Sequence, residues 1–507
     1  MHKKLPVNLI FVLHLALFIL VVSGVLPRAI IPFWTAGLLL YALFSPLEES
    51  AVFFVRSIPL FIAIPLTAGY DALNMWRLMS LVIFGKWLVL KYPFDFQFGP
   101  WKRRRLLISI LVLFAMSLLS LSAAPEFGTA LKRIIYFLNL SLIGIVIYDV
   151  ARQEGTARRL AANIAVPIVI VTLAGFIQLG MAYSMDIFQF VDIWVHTVER
   201  NLFGSAWAEI ALKANTWFAY YGDQLSLRMF SLFPDSHSFP IFILLGLPAV
   251  LAISLKGLVA KADSLRGLFF SRARLLVVFV PFVLLAALLS GTRGIWAAVI
   301  GVILFALALI YIFKRQGVEQ ARRRLFIYLS TFLVLFFLLF PVAYGVFVSD
   351  QFQARKSDAA LFRKRVRSII DIAETSNKER IRIWTLSLKS IASHPFLGRG
   401  IGNFPVVLNQ DIGLGKAGSS AHNLYLHIAA EMGLLALVAA LYALWLVIKK
   451  IYDNFRATKD PVLLIYNGSL LLFLPWVLIY SLTDVALFDE RAFLLFVATI
   501  AITQAHH

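Results

Sequence analysis

Long apolar runs alternate with short polar or basic connections along almost the whole chain. A helix needs about 20 apolar residues to cross the hydrocarbon core of a bilayer. The runs therefore predict about fourteen transmembrane helices, near residues 8–26, 29–46, 51–69, 75–91, 106–123, 134–150, 160–183, 237–255, 274–290, 294–313, 326–349, 421–447, 462–483 and 487–503. Arg56 and Lys86 interrupt the third and fourth runs. The pattern predicts an all-α, polytopic membrane protein.

The basic connections indicate how the predicted helices are oriented. Alternating the spans brings five of these connections to one face, namely 102–105, 152–159, 256–274, 314–324 and 449–459. Short loops rich in Lys and Arg stay in the cytoplasm, so we expect both termini to be cytoplasmic. The opposite, external face then carries two long loops, 184–236 and 350–420, in which we expect short amphipathic helices.

No change in hydropathy divides the chain into separate domains. The candidate motifs described below all lie in residues 151–505, which we distinguish from the N-terminal transmembrane helices in residues 1–150. We therefore expect one continuous membrane region, with the chemistry confined to its second part.

Composition supports a membrane protein and limits its chemistry. Hydrophobic residues make up 61% of the chain and charged residues 15%, which is too few for the surface of a soluble protein of 507 residues. The chain has no cysteine, which excludes disulfides and thiolate ligands. The net charge of +20 is typical of nucleic-acid binding as well, but in so apolar a chain basic residues flank membrane spans and attract anionic lipid. We expect membrane lipids, and no nucleic acid, as partners.

The second long loop is unusually basic. It carries twelve Lys and Arg residues between Arg355 and Lys416, including the cluster Arg363–Arg367. One interpretation is a loop that lies on anionic lipid headgroups. The other is an anion site for a phosphate-bearing substrate, because the planar fork of arginine matches phosphate oxygens.

Four polar segments are predicted to meet on the external face. They are residues 228–239, 290–296, 379–404 and 420–425. Arg293, in the second segment, lies between two apolar helices with almost no loop, so its charge must sit at the membrane interface. Such a charge faces a cavity or ligand, or it snorkels to the headgroups. The neighbouring Gly291 and Gly294 favour close approach of an anion.

The third segment begins with a helical pattern of about a dozen residues that Pro395 ends. Helical spacing places Arg380, Trp384, Leu388 and Ile391 on one face, and Arg382 belongs to the same segment. The pattern suits an amphipathic helix on the outer surface, with Arg380 turned inward to a ligand or with all its arginines solvated.

The fourth segment places His422 where the long basic loop ends and an apolar helix begins. A histidine there is either a structural cap or a base that accepts a proton from an attacking hydroxyl. Asn423 could orient the ring or a substrate hydroxyl, and we include Tyr425 as a binding residue. His427 is turned away and is interpreted as packing, whereas His237 is a second candidate base or hydrogen-bond partner.

Metal chemistry finds little support on the external face. That face has no acidic pair and no His-x-x-x-His spacing, and its conspicuous charges are positive. An arginine cluster can stabilise a pyrophosphate leaving group where a divalent ion would otherwise do so. We predict no metal and no cofactor, and we interpret Asp484, Asp489 and Glu490 as counter-charges or acceptor-binding groups.

These motifs resemble those of a known family, the O-antigen ligase and polymerase superfamily of bacterial inner-membrane glycosyltransferases. The resemblance rests on Arg380-x-x-x-Trp384, His394-Pro-Phe-Leu-Gly-x-Gly-x-Gly-Asn-Phe404 and Ala421-His-Asn-x-Tyr-Leu…Glu431-x-Gly-Leu-Leu435. It covers residues 225–435 and is not evident in the first 150. The family's Ser-Arg-Gly turn corresponds to residues 292–294. Arg228 matches a family arginine, but Ser231 and His237 stand where the family has glycine and asparagine.

The resemblance implies a GT-C-like fold and a periplasmic active site in a multi-pass inner-membrane protein. Its members transfer a glycan from undecaprenyl pyrophosphate, without a metal, to the lipid A core or to a growing lipid-linked glycan. Arg228, Arg293 and Arg380 would hold the pyrophosphate, and His422 would act as the base for an inverting transfer. His237, Arg382, Trp384, Asn423 and Tyr425 would contact substrate.

Two alternatives remain open at this point. The closer is a repeat-unit polymerase of the same superfamily, because the motifs serve a donor that both activities share. The other is a flippase or transporter for lipid-linked glycans. Such proteins place charged groups along a path through the membrane, whereas the informative charges here gather at the external ends of the helices.

Overall fold

The computed structural model describes residues 6–65, 73–91, 104–213, 216–221, 224–260, 274–352, 375–410 and 419–505. The basic cluster Arg363–Arg367, for which sequence left two interpretations, lies outside the described residues. Within them the structure is almost entirely α-helical, as predicted, and a single β-hairpin is its only sheet.

The first half of the chain contains the helices α1 (Val7–Val22), α2 (Ile31–Phe44), α3 (Leu47–Ser57), α4 (Met75–Lys91), α5 (Arg105–Leu119), α6 (Phe127–Ala151), α7 (Thr156–Asn163), α8 (Ala165–Ser184), α9 (Ile187–Ile193), α10 (Arg200–Phe203), α11 (Ser205–Lys213) and α12 (Ser238–Ala260). A π-helical segment, Trp194–Glu199, separates α9 from α10. The hairpin strands β1 (Phe218–Tyr221) and β2 (Gln224–Leu227) precede α12.

The second half contains α13 (Arg274–Leu289), α14 (Arg293–Arg315), α15 (Gln320–Leu338), α16 (Phe340–Val348), α17 (Thr375–Ser393), α18 (Phe404–Val407), α19 (Leu424–Met432), α20 (Leu434–Ala457), α21 (Pro461–Tyr480) and α22 (Glu490–Ala505). Single 3₁₀ turns cover Arg28–Ile30, Ile58–Leu60, Ser120–Ala123 and Ala486–Phe488.

Eight helical segments of the described chain are long and apolar enough to cross a bilayer. They are Arg105–Ala123, Phe127–Ala151, Thr156–Ser184, Ser238–Gly257, Arg293–Arg315, Gln320–Val348, Leu434–Ala457 and Pro461–Tyr480, and three shorter apolar helices accompany them. The protein is therefore a multi-pass membrane protein. The count of fourteen stays a prediction. In the third predicted span, helix α3 ends at Ser57, and a 3₁₀ turn (Ile58–Leu60) follows it.

Helices α12 and α21 form the centre of the bundle. They pack against each other along their length, and nearly all of their described side chains are buried. Residues 461–480 contain no charged side chain, as is typical of a helix surrounded by protein on all sides. The outer helices instead expose one apolar stripe each. On α14 it consists of Ile300, Leu304, Leu307 and Tyr311, spaced for one helical face.

The N-terminal helices contact the second half of the chain directly. Helix α6 packs against α22, and the backbone N–H of Glu126 donates to the Asn403 side chain over 2.9 Å. The glycine-rich turn before α18 therefore rests on the start of α6. Residues 1–150 thus support one of the segments that carries the candidate motifs.

Candidate active site

A cavity of about 430 Å³ lies beyond the ends of α12 and α21. All four predicted polar segments contribute to it, together with the end of α21 and the turn that follows. Its lining consists of Arg228, His237, Gly291, Thr292, Arg293, Gly294, Glu379, Arg380, Ile383, His422, Tyr480 and Thr483. The chain therefore brings together five of the predicted site residues, Arg228, His237, Arg293, Arg380 and His422, in one place.

Arg228 is positioned by the β-hairpin and by a glycine. It directly follows β2, and its side chain donates to the Ser290 carbonyl over 3.2 Å and to the Thr292 hydroxyl over 3.3 Å. Gly291 has a φ of 62°, and a Cβ atom there would lie 2.6 Å from the Tyr221 hydroxyl. Because only glycine tolerates both conditions, this position allows Arg228 to cross the turn before α14.

Arg293 is the first residue of α14, so its side chain leaves the helix at its N-terminal end. Unpaired backbone N–H groups give that end of a helix a positive potential. The Thr292 hydroxyl donates to the Ser236 carbonyl over 2.8 Å, which ties the turn to the segment that carries His237. The arginine and the helix terminus therefore favour an anion at the same wall of the cavity.

Helix α17 carries two arginines with different surroundings. Arg380 lines the cavity, and within the described chain it has no hydrogen-bond or carboxylate partner. Arg382 lies on the other side of the helix, where it donates to Glu379 over 2.9 Å with 67% of its side chain exposed. The cavity thus contains an arginine whose N–H groups have no partner among the described residues, whereas Arg382 is not part of its wall.

His237 and Asp484 form a pair at the floor of the cavity. Nδ1 of His237 lies 3.2 Å from Oδ2 of Asp484 and 3.2 Å from the Tyr480 hydroxyl. Asp235 caps α12 by accepting from the backbone N–H groups of His237 and Ser238, both over 2.8 Å. This cap holds His237 at the helix start.

The electrostatics of this pair follow from burial and neighbouring charge. Burial lowers the pKa of the His237 imidazole to about 4, a shift that Asp484 opposes and Arg228 adds to. Burial works against ionisation of Asp484, but the two imidazoles and Arg380 together hold the pKa of its carboxyl below the usual value. At neutral pH the floor therefore contains a carboxylate beside a neutral His237.

His422 lies on the far side of the same carboxylate. Its Nδ1 is 3.9 Å from Oδ2 of Asp484, and 38% of its side chain is exposed. Its backbone has a φ of 44°, in the left-handed region that residues other than glycine rarely adopt. Asp484 thus lies between two imidazoles and faces Nδ1 of both, so Nε2 of His422 is the ring nitrogen turned away from this carboxylate.

The remaining predicted residues hold the backbone around His422 and lie outside the cavity lining. Asn423 caps α19 by accepting from the backbone N–H groups of Tyr425 and Leu426, both over 3.0 Å. Trp384 donates to the Ala421 carbonyl over 3.0 Å, and the Tyr425 hydroxyl donates to the Leu478 carbonyl over 2.8 Å. For Trp384, Asn423 and Tyr425 the structure thus provides positioning contacts.

Ser231, which stands where the related pattern has glycine, adopts a φ of 54° and is fully buried. A glycine accommodates this conformation without strain. Here the Ser231 hydroxyl donates to the Val171 carbonyl over 2.6 Å, and its backbone N–H donates to Gln178 over 3.0 Å. These contacts hold the turn between Arg228 and His237 in the same backbone form that glycine would take.

Lowering the pH from about 6.5 to about 4 should destabilise the protein partly through His237. The pKa of this ring is lower in the folded chain than its usual 6.5, so the unfolded chain binds the extra proton in that range. The contribution of the neutral His237 ring to the free energy of unfolding is therefore complete above pH 6.5 and is lost as the pH falls toward 4. His237→Asn removes the titration but keeps a side-chain amide near Asp484. Its thermal unfolding midpoint should fall less over this range than that of the wild type, and equal falls would contradict the assignment.

The sequence did not indicate the specific roles of Asp484, Asp235 and Tyr480. Asp484 was interpreted only as one of three possible counter-charges, although it contacts both histidines. A signal for the cap was present but was not used for Asp235, since an Asp followed by Ser-His-Ser before an apolar run is typical of a helix N-terminus. Tyr480 is the last residue of an apolar run, and nothing in its local pattern distinguishes it.

Comparison with known proteins adds one match. Residues 276–441, about a third of the chain, match the family model described as O-Antigen ligase. The match includes Arg293, Arg380 and His422, whereas Arg228 and Asp484 lie on either side of it. None of the curated proteins compared with the chain matches it.

Proposed function

Because the chain belongs to the O-antigen ligase superfamily, we propose that it transfers a glycan from undecaprenyl pyrophosphate to an acceptor hydroxyl without a metal. We further propose the lipid A core oligosaccharide as the acceptor and the periplasmic face of the bacterial inner membrane as the place of transfer. One observation carries the proposal. Three arginines and a histidine from four separate segments line a single cavity at one end of a membrane bundle.

The arginines suit the pyrophosphate of the donor. Arg228, Arg293 and Arg380 reach the cavity from three directions, and guanidinium groups bind phosphate oxygens in a forked, charge-assisted manner. As the bond between the sugar and the phosphate breaks, negative charge grows on the leaving oxygen. Guanidinium N–H groups already oriented toward that oxygen stabilise the transition state more than they stabilise the bound substrate.

His422 suits the acceptor side of the reaction. Its Nε2 would accept the proton of the acceptor hydroxyl while that oxygen bonds to the anomeric carbon of the donor sugar. The bond from the anomeric carbon to the phosphate oxygen breaks, and the pyrophosphate leaves with the electron pair and with inversion at carbon. Asp484, 3.9 Å from Nδ1, would stabilise the imidazolium that forms, because a nearby carboxylate favours the charged ring.

The experiment combines the purified protein with its undecaprenyl-pyrophosphate-linked glycan, with and without lipid A core, in the presence of a chelator. Ligation to the core supports the proposal. Growth of the lipid-linked chain without the core would instead favour the repeat-unit polymerase of the same superfamily. Transport of the intact donor across vesicles with no new glycosidic bond would favour a flippase and overturn the proposal of catalysis.

The two arginines of α17 provide an internal comparison. We expect Arg380→Gln to lower kcat/KM for the donor by about 10²-fold, because a lost charge-assisted donor to the leaving group costs about that much. Arg382→Gln should stay within about twofold of the wild type, since surface ion pairs contribute little and Arg382 points away from the cavity. Steady-state transfer rates check both variants. A larger loss in Arg382→Gln than in Arg380→Gln would contradict the placement of α17.

A further inference from the structure

Ala421, the residue before His422, is held at both its backbone N–H and its carbonyl. The Trp384 indole donates to the Ala421 carbonyl over 3.0 Å, and the Ala421 N–H donates to Nδ1 of His427 over 3.5 Å. Ala421 itself is fully buried. One of these contacts comes from the helix that carries Arg380, and the other comes from α19.

His422 needs such support because of its backbone conformation. With a φ of 44° it lies in a region that only glycine and a few polar residues enter readily. Such a conformation persists where surrounding contacts determine it. The direction of the His422 ring therefore depends on how firmly the backbone of Ala421 is held on either side of its Cα atom.

His427 receives its own support from Glu431, one turn later on α19. Both side chains are buried, and Nε2 of His427 lies 3.5 Å from Oε1 of Glu431. The same carboxylate oxygen accepts the backbone N–H of Phe404 over 3.1 Å, and the Phe404 ring packs on the imidazole with centroids 4.7 Å apart. This arrangement joins α19 to the start of α18.

These contacts favour the tautomer of His427 that carries its proton on Nε2. Because the Ala421 N–H donates to Nδ1, that nitrogen must carry no proton, and the ring proton must lie on Nε2. Nε2 then donates toward Glu431, and an acceptor on one ring nitrogen fixes the role of the other. The carboxylate thereby keeps Nδ1 available to Ala421.

We propose that His427, oriented by Glu431, is a positioning residue that sets the direction of the His422 ring. This inference rests on the proposed role of His422 as the base, and it adds a function for a buried histidine that does not touch the cavity. It also gives a reason for the Glu431-x-Gly433 part of the motif. Gly433 lets the chain pass so close to Phe396 that a Cβ atom would lie 2.1 Å from the Phe396 carbonyl oxygen, which keeps the end of α19 beside the turn before α18.

Two isosteric variants separate positioning from packing. The side-chain oxygen of Asn can take the place of Nδ1, so His427→Asn keeps an acceptor for Ala421. The Gln amide instead reaches the place of Nε2, so His427→Gln keeps the contact with Glu431 and loses that with Ala421. A misplacement of about 1 Å at a reacting group costs on the order of 10²-fold in rate. We therefore expect such a loss of kcat in His427→Gln and near-wild-type kcat in His427→Asn, with the KM for the donor unchanged in both.

The measurements are the transfer rate over a range of donor concentrations and the thermal unfolding midpoint of each variant. Equal losses of kcat in both variants, with lowered midpoints, would show that His427 only packs, and full kcat in His427→Gln would also overturn the inference. His422→Ala distinguishes this failure from that of the proposed function. If His422→Ala still transfers glycan rapidly, the proposed role of His422 as the base is wrong. If His422→Ala is inactive but His427→Gln is fully active, only the positioning role of His427 is wrong.

Discussion

His422→Ala is expected to slow glycan transfer by about 10²- to 10⁴-fold, the range that a positioned acid–base group contributes. The loss should appear in kcat, because the acceptor hydroxyl must then surrender its proton to water. Donor affinity should change little, since the three arginines of the cavity remain. Initial rates at saturating donor and acceptor, together with direct binding of the labelled donor, measure the two effects separately.

His196→Ala is a matched control for this variant. His196 lies in the π-helical segment, its side chain is 65% exposed, and its ring contacts only Asp192 among the described residues. Its replacement should leave transfer within about twofold of the wild type, as is usual for surface positions. Near-wild-type transfer by His422→Ala would falsify the assignment of the base.

Replacement of Arg293 is the second large effect that we expect. Arg293→Gln should lower kcat by about 10²- to 10³-fold, because it removes a charged hydrogen-bond donor from the proposed pyrophosphate site. Arg293→Lys should recover only part of the rate, since an ammonium keeps the charge but not the fork that binds two oxygens. Unlike His422→Ala, both variants should also bind the donor more weakly, which a titration with labelled donor would reveal.

The other end of the same helix provides the control. Arg315 is the last residue of α14, lies in an exposed position and is separated from the cavity by the length of the helix. Arg315→Gln therefore removes the same charge without touching the site, and its transfer rate should match that of the wild type. If Arg293→Gln and Arg315→Gln lost activity equally, the loss would reflect the helix as a whole and not an anion site.

The architecture was predictable where one physical signal dominates. Apolar runs of bilayer length give the long helices, and the apolar segments on either side of Arg293 leave it no place except an interface. The same reasoning predicted that Arg228, His237, Arg380 and His422 would meet, because it placed all of them on one side of the membrane. The structure brings these residues to a single cavity.

The roles of side chains were less predictable, because they depend on which hydrogen-bond partners the fold places beside each polar group. Asn423 is of a residue type suited to binding, but its side-chain oxygen already caps α19. Trp384 and Tyr425 likewise donate to backbone carbonyls that are distant in sequence. Asp484 shows the opposite case. It lies 62 residues after His422 in the chain, and the two segments meet where the Leu424 N–H donates to the Ser481 carbonyl over 2.8 Å.

The residues that line the cavity come from two kinds of segment, deeply buried helices and segments at the edge of the bundle. His237 and Tyr480 are fixed at the ends of the most deeply buried helices, whereas Arg380 and His422 are carried by segments at the edge of the bundle. Exchange of the described residues 375–410 and 419–423 would therefore change the segments that carry Arg380 and His422 and leave α12 and α21 as they are. Chimeras that transplant these segments between relatives test whether the edge of the bundle alone determines the transfer activity.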